Sequence, residues 1–159
     1  MKRAVLLLAA FAAAAVAAEP GPCASTLDDL RLLAGDRTFP LRWTETTMTD
    51  GKPLVVSISE HDQALFLRFR KSGEGLWAQG PARVCQGERA LQARIPGRRL
   101  ELGPAAHWLL RLSARDGATF GMARLASGLL RVSTPGWSGV FAPADEPASA
   151  ALETPAVPR

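Results

Sequence analysis

Residues 54–71 read LVVSISEHDQALFLRFRK, and this stretch decides the fold. Its large apolar side chains fall on every second position, at Leu54, Val56, Ile58, Leu65, Leu67 and Phe69. The polar triplet Glu60-His61-Asp62 interrupts the alternation and predicts a hairpin turn. Period two predicts two strands, each with one buried face and one exposed face, as antiparallel sheets have.

The same alternation continues on both sides of this hairpin. It appears in residues 38–44, 91–95, 99–102, 108–113 and 130–133. Turn dipeptides such as Asp50-Gly51, Asp116-Gly117 and Pro135-Gly136 separate the runs. The pattern predicts an all-β fold, a small antiparallel meander of eight to ten short strands. We expect a barrel, because a Greek-key sandwich needs a long crossing connection, for which the irregular residues 72–89 are the candidate.

The residues expected to point into the barrel are mostly large. They are Phe39, Leu41, Trp43, Leu54, Val56, Ile58, Leu65, Leu67, Phe69, Leu91, Ile95, Leu100, Leu102, Trp108, Leu110, Leu112, Phe120, Met122, Leu130 and Val132, with Ala93 as the one small member. Interiors pack close to crystal density, so this volume predicts a barrel filled by its own side chains.

One short helix is predicted before the strands. Ser25 or Thr26 is a suitable N-cap, and acidic residues follow in the first turn, where the helix dipole favours them. Leu27, Leu30 and Leu33 form an apolar stripe, and Gly35 is a typical helix stop. The expected helix covers residues 26–34.

Residues 1–18, MKRAVLLLAAFAAAAVAA, have the layout of a secretory signal peptide. Lys2 and Arg3 precede an apolar run that ends in small residues, so cleavage is expected near Glu19. The alternative is an uncleaved anchor, but the run falls short of the ~20 residues that a spanning helix needs. We expect a bacterial periplasmic or secreted protein with no transmembrane segment after cleavage. Residues 19–142 would form one barrel domain, and residues 143–159 a disordered tail rich in Ala, Pro and acidic residues.

The chain has two cysteines, Cys23 and Cys85. An even count in a small exported domain predicts one structural disulfide between them. A redox pair would normally have Cys-x-x-Cys spacing, and a zinc site needs more Cys or His ligands than this chain has. We therefore expect no bound metal.

The order of elements resembles small lipocalin-type barrels in outline: a leading helix, an antiparallel meander and one disulfide. The resemblance is architectural, since Gly35 and Trp43 lie too far apart for the Gly-x-Trp motif that usually begins the first lipocalin strand. What it implies is a barrel that could carry a small apolar ligand.

Motifs with catalytic associations have simpler explanations here. Residues 136–139, GWSG, lack the final glycine of a hydrolase nucleophile elbow, and residues 73–78, GEGLWA, lie between strand patterns rather than in a βαβ unit. His61 falls in a turn and His107 at the start of a predicted strand. We expect no catalytic residues and no cofactor, with an enzyme using carboxylates or His61 as the least favoured class.

Arginines occupy the outward positions of many strands, and the net charge is +4. They are either an ordinary solvated face or a basic surface for an anionic partner. The candidates for such a surface are Arg42, Arg68, Arg70, Arg94, Arg99, Arg111 and Arg131. In an exported protein the partner would be an anionic envelope component or an envelope protein rather than nucleic acid. The function predicted first is a non-catalytic envelope binding module, and the alternative is a carrier of a small apolar ligand.

Overall fold

The computed structural model describes residues 21–144, so the predicted signal peptide and residues 145–159 of the predicted tail lie outside the described residues. The strands are β1 (Cys23–Ala24), β2 (Arg42–Glu45), β3 (Leu54–His61), β4 (Ala64–Lys71), β5 (Gly75–Gln86), β6 (Leu91–Ile95), β7 (Glu101–Leu102), β8 (Ala118–Arg124), β9 (Leu130–Thr134) and β10 (Trp137–Pro143). The helices are α1 (Leu27–Ala34), α2 (Trp108–Ser113) and a single 3₁₀ turn at Gly97–Arg99.

Eight of the strands form a closed antiparallel barrel, which confirms the predicted fold class. The order is β2-β3-β4-β5-β6-β8-β9-β10, and each strand pairs with its neighbour in this series. Closure comes from β10, where Phe141 pairs with Glu45 of β2. The order is up-and-down, as the short connections predict.

The two extra strands, β1 and β7, both pair with β5. Ala78 of β5 lies between Phe69 of β4 and Leu102 of β7, while Val84 lies between Ala24 of β1 and Ala93 of β6. The two halves of β5 therefore have different neighbours. This arrangement requires a long strand, and β5 has twelve residues.

The interpretation of residues 72–89 as an irregular crossing segment is wrong, since most of them form β5. The periodicity is hidden by a β-bulge opposite the step from Phe69 to Arg70. The bulge turns both Trp77 and Ala78 inward, so two consecutive positions are buried and the alternation changes phase.

The core is a single cluster of buried apolar side chains, and most of the predicted inward residues belong to it. The prediction missed Trp77, Val84 and Phe141, together with four small members, Ala24, Ala78, Ala82 and Ala118. Small inward residues are therefore more numerous than the pattern indicated. Stacked or tilted aromatic pairs, such as Phe69 with Phe120 at 4.4 Å between ring centroids, fill the middle of the barrel.

Helix α1 confirms the predicted helix. The Thr26 hydroxyl accepts a hydrogen bond from the Asp29 amide, and Gly35 adopts the left-handed conformation that ends the helix. Leu30 is fully buried against the barrel. The Glu60 carboxylate, at the end of β3, accepts a hydrogen bond from the Leu27 amide at 3.0 Å and joins the helix start to the barrel.

The strand predicted at residues 108–113 is wrong, because these residues form α2. The His107 imidazole accepts a hydrogen bond from the Leu109 amide and caps the helix. Only Leu110 of this helix is buried, whereas Trp108 and Leu112 are 61% and 73% exposed. In so short an apolar run, periodicity does not separate strand from helix.

Two further strand predictions are corrected in extent. Residues 99–102 contain the end of the 3₁₀ turn and the two-residue β7, and Leu100 and Leu102 are half-buried rather than inward core residues. Strand β2 begins at Arg42, so Phe39 is buried outside any strand and Leu41 is half-buried.

Cys23 and Cys85 form a disulfide, as predicted. They are directly opposite in the β1–β5 pair and lie 62 residues apart in the chain. In the chain-entropy model, closing a loop of this length stabilises the fold by ~4 kcal/mol.

Candidate functional site

One end of the barrel, which we call the closed end, is covered by Arg124. Its guanidinium lies over the rings of Phe39 and Trp43, at 5.6 and 5.2 Å from their centroids. An oxygen of Asp36 is 3.3 Å from the same guanidinium. Two aromatic faces and one carboxylate of the same chain thus compensate the guanidinium charge.

The opposite end, which we call the mouth, contains a cavity of about 120 Å³. Its lining residues come from β2, β3, β4, β5, β10 and the connections beside them: Glu45, Met48, Leu54, Lys71, Trp77, Ala105, His107 and Trp137. Glu45 is the only buried charged residue of the described chain, with 6% of its surface exposed. Apolar and aromatic side chains with a few polar groups are the usual lining of a ligand pocket.

Glu45 is held by two hydrogen bonds. The Thr47 hydroxyl donates to Oε1 at 3.1 Å, and the Leu54 amide donates to Oε2 at 3.4 Å. Among the ion pairs of residues 21–144, none includes Glu45. Lys71 lines the same cavity with its side chain only 11% exposed, and its ammonium lies 3.0 Å from an oxygen of Asp50.

The outer surface carries a second concavity, the arginine basin, defined by Arg42, Arg68 and Arg70 around Val55 and Ser57. Its volume is about 450 Å³. Ser57 of β3 pairs with Arg42 on one side and with Arg68 on the other, while Arg70 pairs with Val55. Small β3 side chains between arginines of the flanking strands make the depression. No carboxylate of the described residues forms an ion pair with these three guanidinium groups.

A polar chain extends from this basin across the sheet. Arg68 Nε donates to Gln79 Oε1 at 2.9 Å, and Gln79 Nε2 donates to Glu101 Oε2 at 2.6 Å. This series of hydrogen bonds fixes Arg68 through its Nε. The two terminal amino groups of Arg68 form no hydrogen bond with the described protein atoms. Terminal amino groups in this state are suited to bidentate contact with an oxyanion.

The remaining predicted arginines do not share one surface. Arg94 of β6 lies opposite Arg83 of β5, and Arg131 of β9 is exposed between Val140 and Ala123. Arg99 borders a different depression, which it lines together with Arg68, His61 and Glu101. The structure thus brings together three of the seven predicted residues.

Arg111 does not belong to an outer strand face, because its segment is helical. Its Nη2 donates to the carbonyl oxygens of Gly103 and Pro104 at 2.9 and 3.2 Å, and its Nε donates to that of Ala106 at 3.4 Å. These bonds fix the loop before α2, so the role of Arg111 is structural.

The other motifs singled out in the sequence lie at a strand end, in a turn and at the mouth. Strand β3 includes Glu60 and His61, and the turn follows at Asp62 and Gln63, which both have positive φ. His61 packs edge-on against Phe66. Within residues 21–144, no three potential ligand side chains lie together as a metal site would require. Trp137 begins β10 after the predicted Pro-Gly turn and joins the mouth.

Sequence reasoning missed Glu45 and Lys71 as mouth residues. Both occupy inward positions of their strands, in phase with Trp43 and with Phe69. A charged residue in the inward phase is the signal that could have identified them.

No described helix is long and apolar enough to cross a membrane. Comparison with protein-family models, with curated proteins and with solved structures found no match to this chain.

Proposed function

We propose that this chain is an exported, non-catalytic binding module of the cell envelope, which holds phosphate-bearing envelope components in its arginine basin. The observation that carries the proposal is the convergence of three arginines on one concavity of about 450 Å³, where none of them has a carboxylate partner among the described residues. Arg83, Arg94 and Arg131 also have no such partner among the described residues, but they lie outside this basin. The disulfide is consistent with an oxidising compartment.

The chemistry of the basin suits a phosphate group. A guanidinium presents parallel N–H groups that match two phosphate oxygens, and it remains charged at any physiological pH. The basin is shallow and lies on the outer surface, so a group displayed on a larger surface, such as an acidic phospholipid headgroup, has access to it.

The alternative of a carrier with cargo inside the barrel has less support. The barrel interior is occupied by the buried cluster that includes Trp43, Phe69 and Phe120, each at most 1% exposed. The cavities at the two ends of the barrel, about 120 Å³ at the mouth and about 210 Å³ at the closed end, are both below the ~300 Å³ at which ligand pockets usually begin.

The test compares two triple variants by co-sedimentation with phosphatidylglycerol vesicles at increasing salt. An arginine near an anionic surface contributes ~1 kcal/mol, so replacing Arg42, Arg68 and Arg70 with Ser should weaken binding roughly a hundredfold. Binding by the original protein should also fall as salt rises, because exposed charges are screened over ~8 Å at physiological ionic strength.

The matched control replaces Arg83, Arg94 and Arg131 with Ser, which removes the same charge from exposed positions outside the basin. This variant should keep most of the affinity. Equal loss in both variants would indicate net charge rather than a site, and absence of binding by the original protein at low salt would contradict the proposal.

A further inference from the structure

We propose that the mouth cavity is a binding site for a small organic ammonium group, with Glu45 as its counter-ion. The site differs from the arginine basin, since Glu45 faces the barrel interior and Lys71 is the one residue that lines both concavities. The inference therefore does not depend on the proposed envelope function.

The first step is the state of the Glu45 carboxylate. It is removed from water and receives one hydrogen bond at each oxygen, although two carboxylate oxygens offer about four acceptor positions. Burying a charged group is unfavourable unless an opposite charge compensates it. Because Glu45 belongs to no ion pair of residues 21–144 and lines an open cavity, a cation in that cavity would supply the compensation.

The second step is the aromatic wall. Trp77 and Trp137 pack with ring centroids 5.4 Å apart, and both line the cavity that Glu45 borders. Indole faces attract cations, and attraction to an ammonium group is strongest when the group is shielded from water. Met48, which is 37% exposed, stands at the edge and adds a polarizable apolar contact. A carboxylate beside two indoles favours an alkylated ammonium over a bare metal ion.

Neither basic residue of the lining forms an ion pair or a hydrogen bond with Glu45. The Lys71 ammonium is bound to Asp50 at 3.0 Å. The His107 Nδ1 accepts the hydrogen bond from the Leu109 amide, so this nitrogen is engaged in capping α2.

The size of the cavity defines the ligand class. Its volume of about 120 Å³ is below the ~300–1,000 Å³ of pockets for drug-sized ligands, so the site takes a small group only. Gly139 preserves space next to the carboxylate, because a Cβ there would lie 2.8 Å from Glu45 Oε1 and 3.0 Å from the Trp137 ring. A long polyamine or a bulky ring does not fit as a whole.

The experiment measures binding of choline by calorimetry and compares it with 3,3-dimethylbutan-1-ol, its neutral analogue with carbon in place of nitrogen. Choline should bind with a stoichiometry of one and shift the indole N–H signals of Trp77 and Trp137 in NMR spectra. The neutral analogue should bind at least about tenfold more weakly, because it has the same shape without the charge. Failure of choline to bind, or equal binding of both compounds, would overturn the proposal.

Substitutions of single residues test whether choline binds at the mouth. Glu45→Gln keeps an acceptor for the Leu54 amide and should lower choline affinity at least about tenfold. Trp137→Leu provides a second variant that removes one aromatic wall and keeps the carboxylate, and it should also weaken binding. Glu88→Gln is the matched control, because it removes one exposed carboxylate at the closed end and should leave choline affinity unchanged. Unaltered binding by both mouth variants would place the ligand elsewhere and refute the site.

A last comparison distinguishes the sources of the ammonium group. Free choline should displace the protein from phosphatidylcholine vesicles if the site takes the headgroup of a lipid. If the protein binds free choline but not those vesicles, the ligand is a soluble ammonium compound.

Discussion

The two ends of the barrel each place one charged group beside aromatic side chains, but only one of these groups has an ion-pair partner. At the closed end, the Arg124 guanidinium lies on Phe39 and Trp43 and pairs with Asp36. At the mouth, the Glu45 carboxylate is buried next to the Trp137 ring and belongs to no ion pair of the described chain.

The difference separates structural roles from binding roles. A charge that its own chain fully satisfies contributes to stability and leaves nothing for a ligand to complete. A buried charge that is incompletely satisfied lowers stability, and natural proteins keep such groups mainly at functional positions. The closed end is therefore expected to control folding, and the mouth is expected to control recognition.

The largest expected effect compares the same substitution at both ends. Trp43 is fully buried and donates a hydrogen bond from Nε1 to the Pro40 carbonyl oxygen at 2.7 Å, so Trp43→Ala should cost ~3–5 kcal/mol of unfolding free energy. Trp137 is half-buried, and Trp137→Ala should cost about 1–2 kcal/mol. Chemical denaturation of the two variants measures both values, and equal losses would remove the distinction between the ends.

A smaller effect on the unfolding free energy should have opposite signs for charge removal at the two ends. Arg124→Leu removes the ion pair and the cation–π contacts of a partly exposed side chain, which together contribute about 1 kcal/mol. Glu45→Gln removes a buried charge while keeping a hydrogen-bond acceptor, so the unfolding free energy should stay equal or rise. Thermal and denaturant unfolding in the absence of ligand provide the measurement, and a clear loss of stability in Glu45→Gln would show that this carboxylate has a structural partner.

The smallest expected effect is on the stability of the fold at acidic pH. Hydrogen bonds from the Thr38 amide and hydroxyl, and then Arg124, lower the pKa of Asp36 from its ordinary value of 3.8. The Lys52 amide and Lys71 lower the pKa of Asp50 in the same way near the mouth. Because these folded-state pKa values are depressed, the stabilisation is present above pH 3.8 and is lost as the pH falls below it. Asp36→Asn should flatten this part of the stability profile, and an unchanged slope on acid titration would contradict the assignment.

The barrel could be predicted from the sequence because its regular strands have an intact alternation. Strands β3, β4, β6 and β9 have intact period-two patterns, and the inward residues read from them are buried. Strand β5 is not visible in the sequence because a bulge at Trp77 changes the phase near its start and small residues, Ala78, Gly80 and Ala82, occupy the inward positions that follow. Helix α2 was missed because WLLRLS places apolar residues at spacings compatible with either structure.

The candidate sites were predictable only in part. Arg42, Arg68 and Arg70 were identified as outward residues, but their convergence depends on the register with Ser57 and Val55, which a single sequence does not specify. Arg111 was misplaced together with its helix. Glu45 stands at the end of the short strand β2 and becomes an interior residue only when β10 joins that strand.

This junction has a consequence for the order in which the molecule assembles. The hydrogen bonds from Thr46 to Val140 connect residues 94 positions apart, whereas the hairpins of the meander join near neighbours. Contacts of such long separation carry the greatest loop-closure entropy and form late in folding. Since Glu45 and Trp137 stand on the two strands of this seam, the mouth is completed only when the seam closes. A partly assembled chain with an otherwise ordered meander therefore has no ammonium site, and hydrogen exchange at the Thr46 amide reports when the site comes into existence.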